Sequence, residues 1–329
     1  MTGLSFPVRL SGSLEGDFRA VKKIGYGDIS MLFAIENPIV SKGLQNVLHH
    51  EGYQRPLDVA SIERLLEILT KQSFDVIVTA TEMGGDFIPP LITRLRQGQM
   101  KHHPLPVVIE LLVSSDGDYV RKVIDSGPDD LLQLPVAPGA LLTRLNVLAE
   151  KRKPFVVTSD YVGPDRRQTN RAGTMPIPLI EVPNLLALKI KHTPPDALTA
   201  EIEGCADKLR QLRIERFLFE LQWLLRAIRQ LFQSERSAGE KLQTFCERIK
   251  TLLAQMPRLL PEPILPVLTP QIERLGLGVN ILLKGGFSAD ATVLQGLAAQ
   301  VNKLANAALT TLSPEVLEIT GRGRTPDAE

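Results

Sequence analysis

The chain is short of several residue types, and each shortage removes a class of function. Its 329 residues hold two cysteines, Cys205 and Cys246. Two isolated thiols form neither a disulfide framework nor the spacing of a metal site, so both read as small buried apolar side chains. Charge of either sign is not in excess: the formal net charge is +1. That balance argues against a chain-wide footprint for nucleic acid or a membrane surface. No apolar run approaches the ~20 residues that span a bilayer. The opening "MTGLSFPVRL" has no basic segment leading into an apolar core, so no secretory signal is expected. These absences predict a soluble, cytoplasmic protein without membrane insertion.

What is present is a 43% hydrophobic composition, enough for two cores. Over residues 30–152 short apolar runs alternate with helix-period segments. "MLFAI" (31–35), "PLDVA", "FDVIVTATEMGG" (74–85), "LPVVIELLV" (105–113) and "DLLQLP" read as strands. Between them, "PIVSKGLQNVLHH" aligns Leu44, Val47 and Leu48, and "SIERLLEILTK" aligns Ile62, Leu65, Leu66 and Leu69. "FIPPLITRLRQ", "DYVRKVIDSG" and "PGALLTRLNVLAEK" supply three more helices. Alternating strands and helices predict an α/β unit with a five-stranded parallel sheet, whose ligand site would lie at the carboxyl ends of the strands.

Residues 1–29 read as a poorly patterned arm, and 153–197 as an extended, Pro-rich linker that packs against its neighbours in places. From 198 to 313 the period is helical throughout, predicting a four- or five-helix bundle in which "RFLFELQWLLRAIRQLF" is central. Residues 314–329, ending "GRGRTPDAE", are expected to be a disordered tail.

Three stretches of the α/β unit resemble the receiver domains of bacterial response regulators. "SGPDDLLQLPVAPGALLTRLNVL" (126–148) resembles that family's Gly-x-Asp-Asp turn, fifth strand, proline and last helix. "DVIVTATEMGG" resembles its third strand and following loop, and "AIENP" (34–38) its first strand and acidic turn. The resemblance covers roughly 120 residues and implies a flavodoxin-like fold and a two-component signalling role.

It also implies phosphoryl transfer to an aspartate, which needs a carboxylate nucleophile, acids to hold Mg²⁺, a hydroxyl and a lysine. Matched position by position, the nucleophile falls on Ala80. The two acidic positions fall on Ile35 and Glu36, the hydroxyl on Leu111, the lysine on Leu134 and the aromatic switch on Leu131. Only Glu36 keeps its chemical type. The others are apolar together, which is self-consistent, because a lone charge buried among leucines is costly. Glu82 and Asp86, past the turn, lack a lysine or paired acid to make them acceptors. The unit is therefore expected to be a pseudo-receiver without catalytic, cofactor or metal residues; an unrelated flavodoxin-like domain is the alternative.

Other candidates carry blander readings. The pairs His49–His50 and His102–His103 are expected to be solvated surface histidines. No histidine follows His192, so the helical half has no phosphotransfer imidazole. Arg166 and Arg167, in "YVGPDRRQTNR", could contact an acidic partner or anion, or pair with the chain's own acids. Lys208, Arg210, Arg213, Arg216, Arg226 and Arg229 are expected on solvated faces. "LTP" (268–270) with "TVLQGLAAQVNKL" (292–304) faintly resembles a helix-turn-helix, but its apolar residues suit a core.

These readings lead to a non-enzymatic signalling protein that works through protein partners, with homo-oligomerisation open and nucleic acid disfavoured. The alternatives are a DNA-binding transcriptional regulator with a helical output domain, and an enzyme with its site in the bundle.

Overall fold

The structure, a computed structural model, describes residues 26–167, 177–234, 239–285, 291–310 and 312–320. Three strands are buried end to end: β1 (Met31–Ala34), β3 (Val76–Ala80) and β6 (Val107–Leu112). Such unbroken apolar runs suit the middle of a parallel sheet covered on both faces. The more polar β2 (Leu57–Val59) and β7 (Asp130–Gln133) take the two edges, in the order β2-β1-β3-β6-β7, all parallel. This is the flavodoxin-like strand order. A two-residue hairpin, β4 (Glu82–Met83) with β5 (Asp86–Phe87), follows β3.

Five helices complete this unit. They are α1 (Pro38–His50), α2 (Ile62–Lys71), α3 (Pro89–Arg96), α4 (Gly117–Ile124) and α5 (Pro138–Glu150). Side-chain caps from Asn37, Ser61 and Asp116 start α1, α2 and α4 by accepting from free N–H groups of the first turn. Leu44, Leu48, Leu141 and Leu145 of α1 and α5 cover one face of the sheet. Leu65, Leu69, Leu91 and Leu95 of α2 and α3 cover the other.

The Pro-rich stretch packs against its neighbours as expected, but with regular elements that an extended linker would lack. It folds into β8 (Phe155–Val157) and β9 (Val162–Pro164), an antiparallel hairpin whose two strands are buried, followed by α6 (Leu185–Ile190) packed on α5. Ile180 bridges to Phe155. Three-residue strands are too short to show a period, so burial here left no sequence pattern. Gly127, at φ +93°, lets the α4–β7 turn lie against this hairpin. A Cβ there would stand 2.6 Å from the Val162 carbonyl oxygen. Residues 1–25 of the expected arm and 168–176 lie outside the described residues, as does 321–329. Tyr26, at the start of what is described, stacks on Tyr53.

The helical unit begins with α7 (Pro195–Ser234), a single helix of 40 residues and about 60 Å in length. With α8 (Gly239–Gln255), α9 (Leu265–Gly285) and α10 (Ala291–Leu309) it closes a ring, each helix packed on the next and α10 on α7. Part of the expected tail is ordered as α11 (Pro314–Ile319), because Val316 is buried and Ser313 caps the helix. Gly278 allows α9 and α10 to approach closely; a Cβ would meet Leu297 at 2.5 Å. The bundle core runs without a break into Leu105, Phe155, Val157 and Val162, so both units share one apolar interior at the amino ends of the strands. Among the described residues, no helix is long and apolar enough to cross a membrane.

Candidate functional site

The carboxyl ends of the strands form an apolar plug. Ile35 follows β1 and Leu111 lies on β6; both are buried in one cluster, with half-buried Leu134 packed against them. Ala80 ends β3 and pairs in register with Leu111. Glu36 stands at the exposed rim, where its Oε2 accepts from the Gly84 N–H at 2.9 Å. Hydroxyls stitch the tip. Thr79 Oγ1 donates to the Ala80 carbonyl at 2.9 Å, and Thr81 Oγ1 accepts from the Tyr119 hydroxyl at 2.7 Å. The structure thus brings together Ile35, Leu111 and Leu134, places Ala80 beside them, and turns Glu36 to a backbone amide. Glu82 and Asp86 are exposed. Leu131, on edge strand β7, is half-buried. Of the six matched positions only Glu36 carries a charge, and it lies at the exposed rim rather than inside this apolar cluster.

Arg166 and Arg167 lie at the other end of the sheet. Arg166 Nη2 donates to the Pro128 carbonyl at 2.7 Å. Arg167 pairs with Asp165, Nε to Oδ1, at 2.8 Å. Both therefore bind the chain itself in this structure.

Residues outside the sequence candidates carry the strongest electrostatics. Asp129, from the Gly-Pro-Asp-Asp turn, is shared by two buried guanidiniums. Arg96 Nη2 lies 2.8 Å from Oδ2 and Arg152 Nε 2.8 Å from Oδ1. Asp129 also accepts from the Val108 N–H at 2.8 Å. Burial opposes its ionisation, yet the two cations and their hydrogen bonds hold its pKa below the usual range. The remaining guanidinium donors reach carbonyls. Arg96 bonds to those of Gly127, Pro104 and Pro106; Arg152 bonds to those of Leu105, Pro106 and Pro183. Both cations lie over the Phe155 ring, at 5.1 and 5.0 Å from its centroid. Only Asp129 lay within a motif readable from sequence; nothing in the pattern marked Arg96 or Arg152.

Glu110 is a second hidden group. It lies on β6, on the sheet face opposite Ile109 and Leu111, and is fully buried. Ser126 Oγ donates to its Oε2 at 3.0 Å, while Oε1 has no partner. Burial pushes its pKa up to about 8, opposed by the Ser126 hydrogen bond and the charges of Arg96 and Arg166. Between the unfolded value near ~4.3 and about 8, the native state keeps a proton that the unfolded chain has released. Stability from this group therefore falls as pH rises, by up to about 1.4 kcal/mol per unit. Glu110→Gln is expected to flatten that limb in urea midpoints measured from about pH 5 to about pH 8. Equal slopes in both proteins would remove Glu110 as the cause.

Two expectations about surface residues are corrected. His102 is buried, not solvated: Nε2 accepts from the Phe74 N–H at 2.8 Å and Nδ1 faces the His103 carbonyl at 2.7 Å. Burial pulls its pKa down to about 4, and that of half-buried His103 to about 3, so both are neutral near pH 7. His49 and His50 are exposed. Arg213 is also buried, and Arg216 is mostly so, whereas Arg226 and Arg229 face solvent. The physical reason is that α7 runs between the bundle and the sheet unit, so more of its circumference is covered than its charge pattern suggests.

No protein-family model and no curated protein matches the chain. Solved structures do. A response regulator protein from Burkholderia pseudomallei, with a phosphorylated aspartic acid, calcium ion and citrate, is 19% identical. That match covers 35% of this chain and 65% of the other, with TM-score 0.32. The response regulator DrrB of Thermotoga maritima, an OmpR/PhoB homolog, is 21% identical over 38% of this chain and 56% of its own, with TM-score 0.33. HP1043, an orphan response regulator of H. pylori, is 15% identical over 37% and 96%, with TM-score 0.32. The chain spans less than two thirds of the length of the first two.

Proposed function

We propose that this chain is a non-enzymatic signalling protein of the two-component type, whose receiver-like unit does not accept a phosphoryl group and acts through protein partners. The observation that carries this reading is the plug at the strand tips. Ile35, Leu111 and Leu134 are packed together beside Ala80, where the chemistry would require two carboxylates, a hydroxyl and an ammonium group. The three-stretch sequence resemblance supports the receiver-like assignment, and the parallel strand order agrees with it. Without phosphorylation, the input must be a partner or ligand that binds two conformations differently.

The DNA-binding alternative draws less support. The two segments resembling a helix-turn-helix lie inside α9 and along α10, where Leu297, Val301 and Leu304 face the core. A helix whose apolar face is consumed by packing has little left to read bases.

Incubation with acetyl phosphate and Mg²⁺ followed by intact mass measurement tests the proposal. No phosphoryl adduct is expected. A stoichiometric, acid-labile adduct would overturn it, and tight binding to a duplex at low salt would favour the transcriptional reading instead.

A further inference from the structure

We propose that the cleft between the sheet unit and the helical bundle binds a small phosphate-bearing molecule. The cleft has a volume of about 340 Å³, within the range of small-molecule sites. Gln97, Met100 and His103 line it from the loop after α3, and Arg210, Arg213 and Arg258 line it from the bundle side.

Arg213 is the reason to expect an anion. Its guanidinium is as deeply buried as those of Arg96 and Arg152, but those two share Asp129, whereas no carboxylate among the described residues pairs with Arg213. Its Nη1 donates to the Gln97 carbonyl at 2.7 Å and its Nη2 reaches Gln97 Oε1 at 3.1 Å, while Nε has no partner. It lies 5.5 Å from the centroid of the Phe217 ring. Burial lowers its pKa only to about 10, so it stays a cation at neutral pH. The charge of Asp160 acts on Arg213 without touching it, and a buried cation lacking a direct ion pair is expensive, so native proteins pair such groups or offer them to ligands.

The rest of the lining suits a phosphate. Arg258 is exposed at the mouth. Arg210 is held by Asp207 and by the Leu259 carbonyl. Glu203 and Asp207 are the acids of the lining, and Asp207 is already engaged by Arg210 and Gln211. The lining thus holds four arginines, of which Arg96 is committed to Asp129, and two carboxylates. His103 Nδ1 accepts from the Leu105 N–H, which leaves the proton of the neutral ring on Nε2 as a further donor. Met100, Leu209 and Leu259 add apolar wall for an uncharged body attached to the phosphate. Guanidinium forks match phosphate oxygens in geometry as well as charge.

The cleft is walled by both units, so a ligand in it would favour the docked arrangement in which Gln97 meets α7. This gives the protein an input at the opposite end of the sheet from the plug, and it stands whether or not the strand tips accept a phosphoryl group. The test uses the full chain at low salt, titrated calorimetrically with adenosine 5′-monophosphate, adenosine and inorganic pyrophosphate, with parallel thermal melts. The monophosphate or pyrophosphate is expected to bind and to raise Tm by about 3 °C at ten times its Kd, with adenosine weaker than the monophosphate. Arg258→Ala, at an exposed site, should melt like the parent and bind roughly tenfold more weakly. Arg213→Met should abolish binding; if it does not fold, the Arg258 variant decides. Failure of both phosphate-bearing probes at ~10 mM, adenosine binding as well as the monophosphate, or an unchanged affinity in Arg258→Ala would overturn the proposal.

Discussion

Replacing Asp129 with alanine is expected to lower the unfolding free energy by about 3–5 kcal/mol, the range for removing one partner of a buried ion pair. Here the loss falls at the upper end, because two guanidiniums, Arg96 and Arg152, would be left buried without their shared counter-charge. A domain has only about 5–15 kcal/mol in total, so the loss is a large share of what holds the variant folded. Asp129→Asn keeps the shape and an acceptor for the Val108 N–H, yet removes the charge, so it should lose most of the same stability. The sign of the pH dependence follows from the lowered pKa of Asp129. Its contribution is complete above the unfolded carboxylate value near ~3.9 and is lost as pH falls through the lower native value. Urea titration followed by circular dichroism checks both points. A loss below about 1 kcal/mol in Asp129→Ala would mean the cluster is not what holds the strand ends together.

Phe155→Ala should cost about 3–5 kcal/mol as a large-to-small core change. Removing the ring also removes the surface over which Arg96 and Arg152 both lie, adding to that cost. A second effect is more telling. Phe155 lies in the bundle's own core cluster and beneath the two arginines of the sheet unit, so it joins the two units. Trp223 is the only tryptophan and sits on α7, against Phe245. Its fluorescence therefore reports the helical unit, while circular dichroism reports both. In the parent the two signals should change together with urea. In Phe155→Ala the fluorescence transition should separate from the other. Coincident transitions in the variant would show that the hairpin is not the joint.

A smaller tie between the units accounts for why the joint is more than apolar. Arg248 of α8 binds Asp160, at the tip of the β8–β9 hairpin, through two nitrogens at 2.9 and 2.7 Å. It also meets Glu220 of α7 at 2.6 Å. This partly exposed network fixes where the hairpin lies, while Phe155 and its neighbours provide the burial.

The amino-acid sequence alone determined the alternation of strands and helices, because parallel strands buried on both faces must be continuously apolar and their crossover helices must be amphipathic. It also supplied the proposal for the strand tips, since that Ala80, Ile35, Leu111 and Leu134 are neither carboxylate nor lysine is a matter of residue identity. Only the tertiary structure decided that the Pro-rich stretch contributes buried strands, that His102 and Arg213 are buried, and that Arg96, Asp129 and Arg152 meet. Arg96 and Arg152 are separated by 56 positions along the chain, and no local period relates them. Burial of a charged side chain follows from what packs over it, and here that cover comes from β8, β9 and α7, elements remote in sequence from the strands they close.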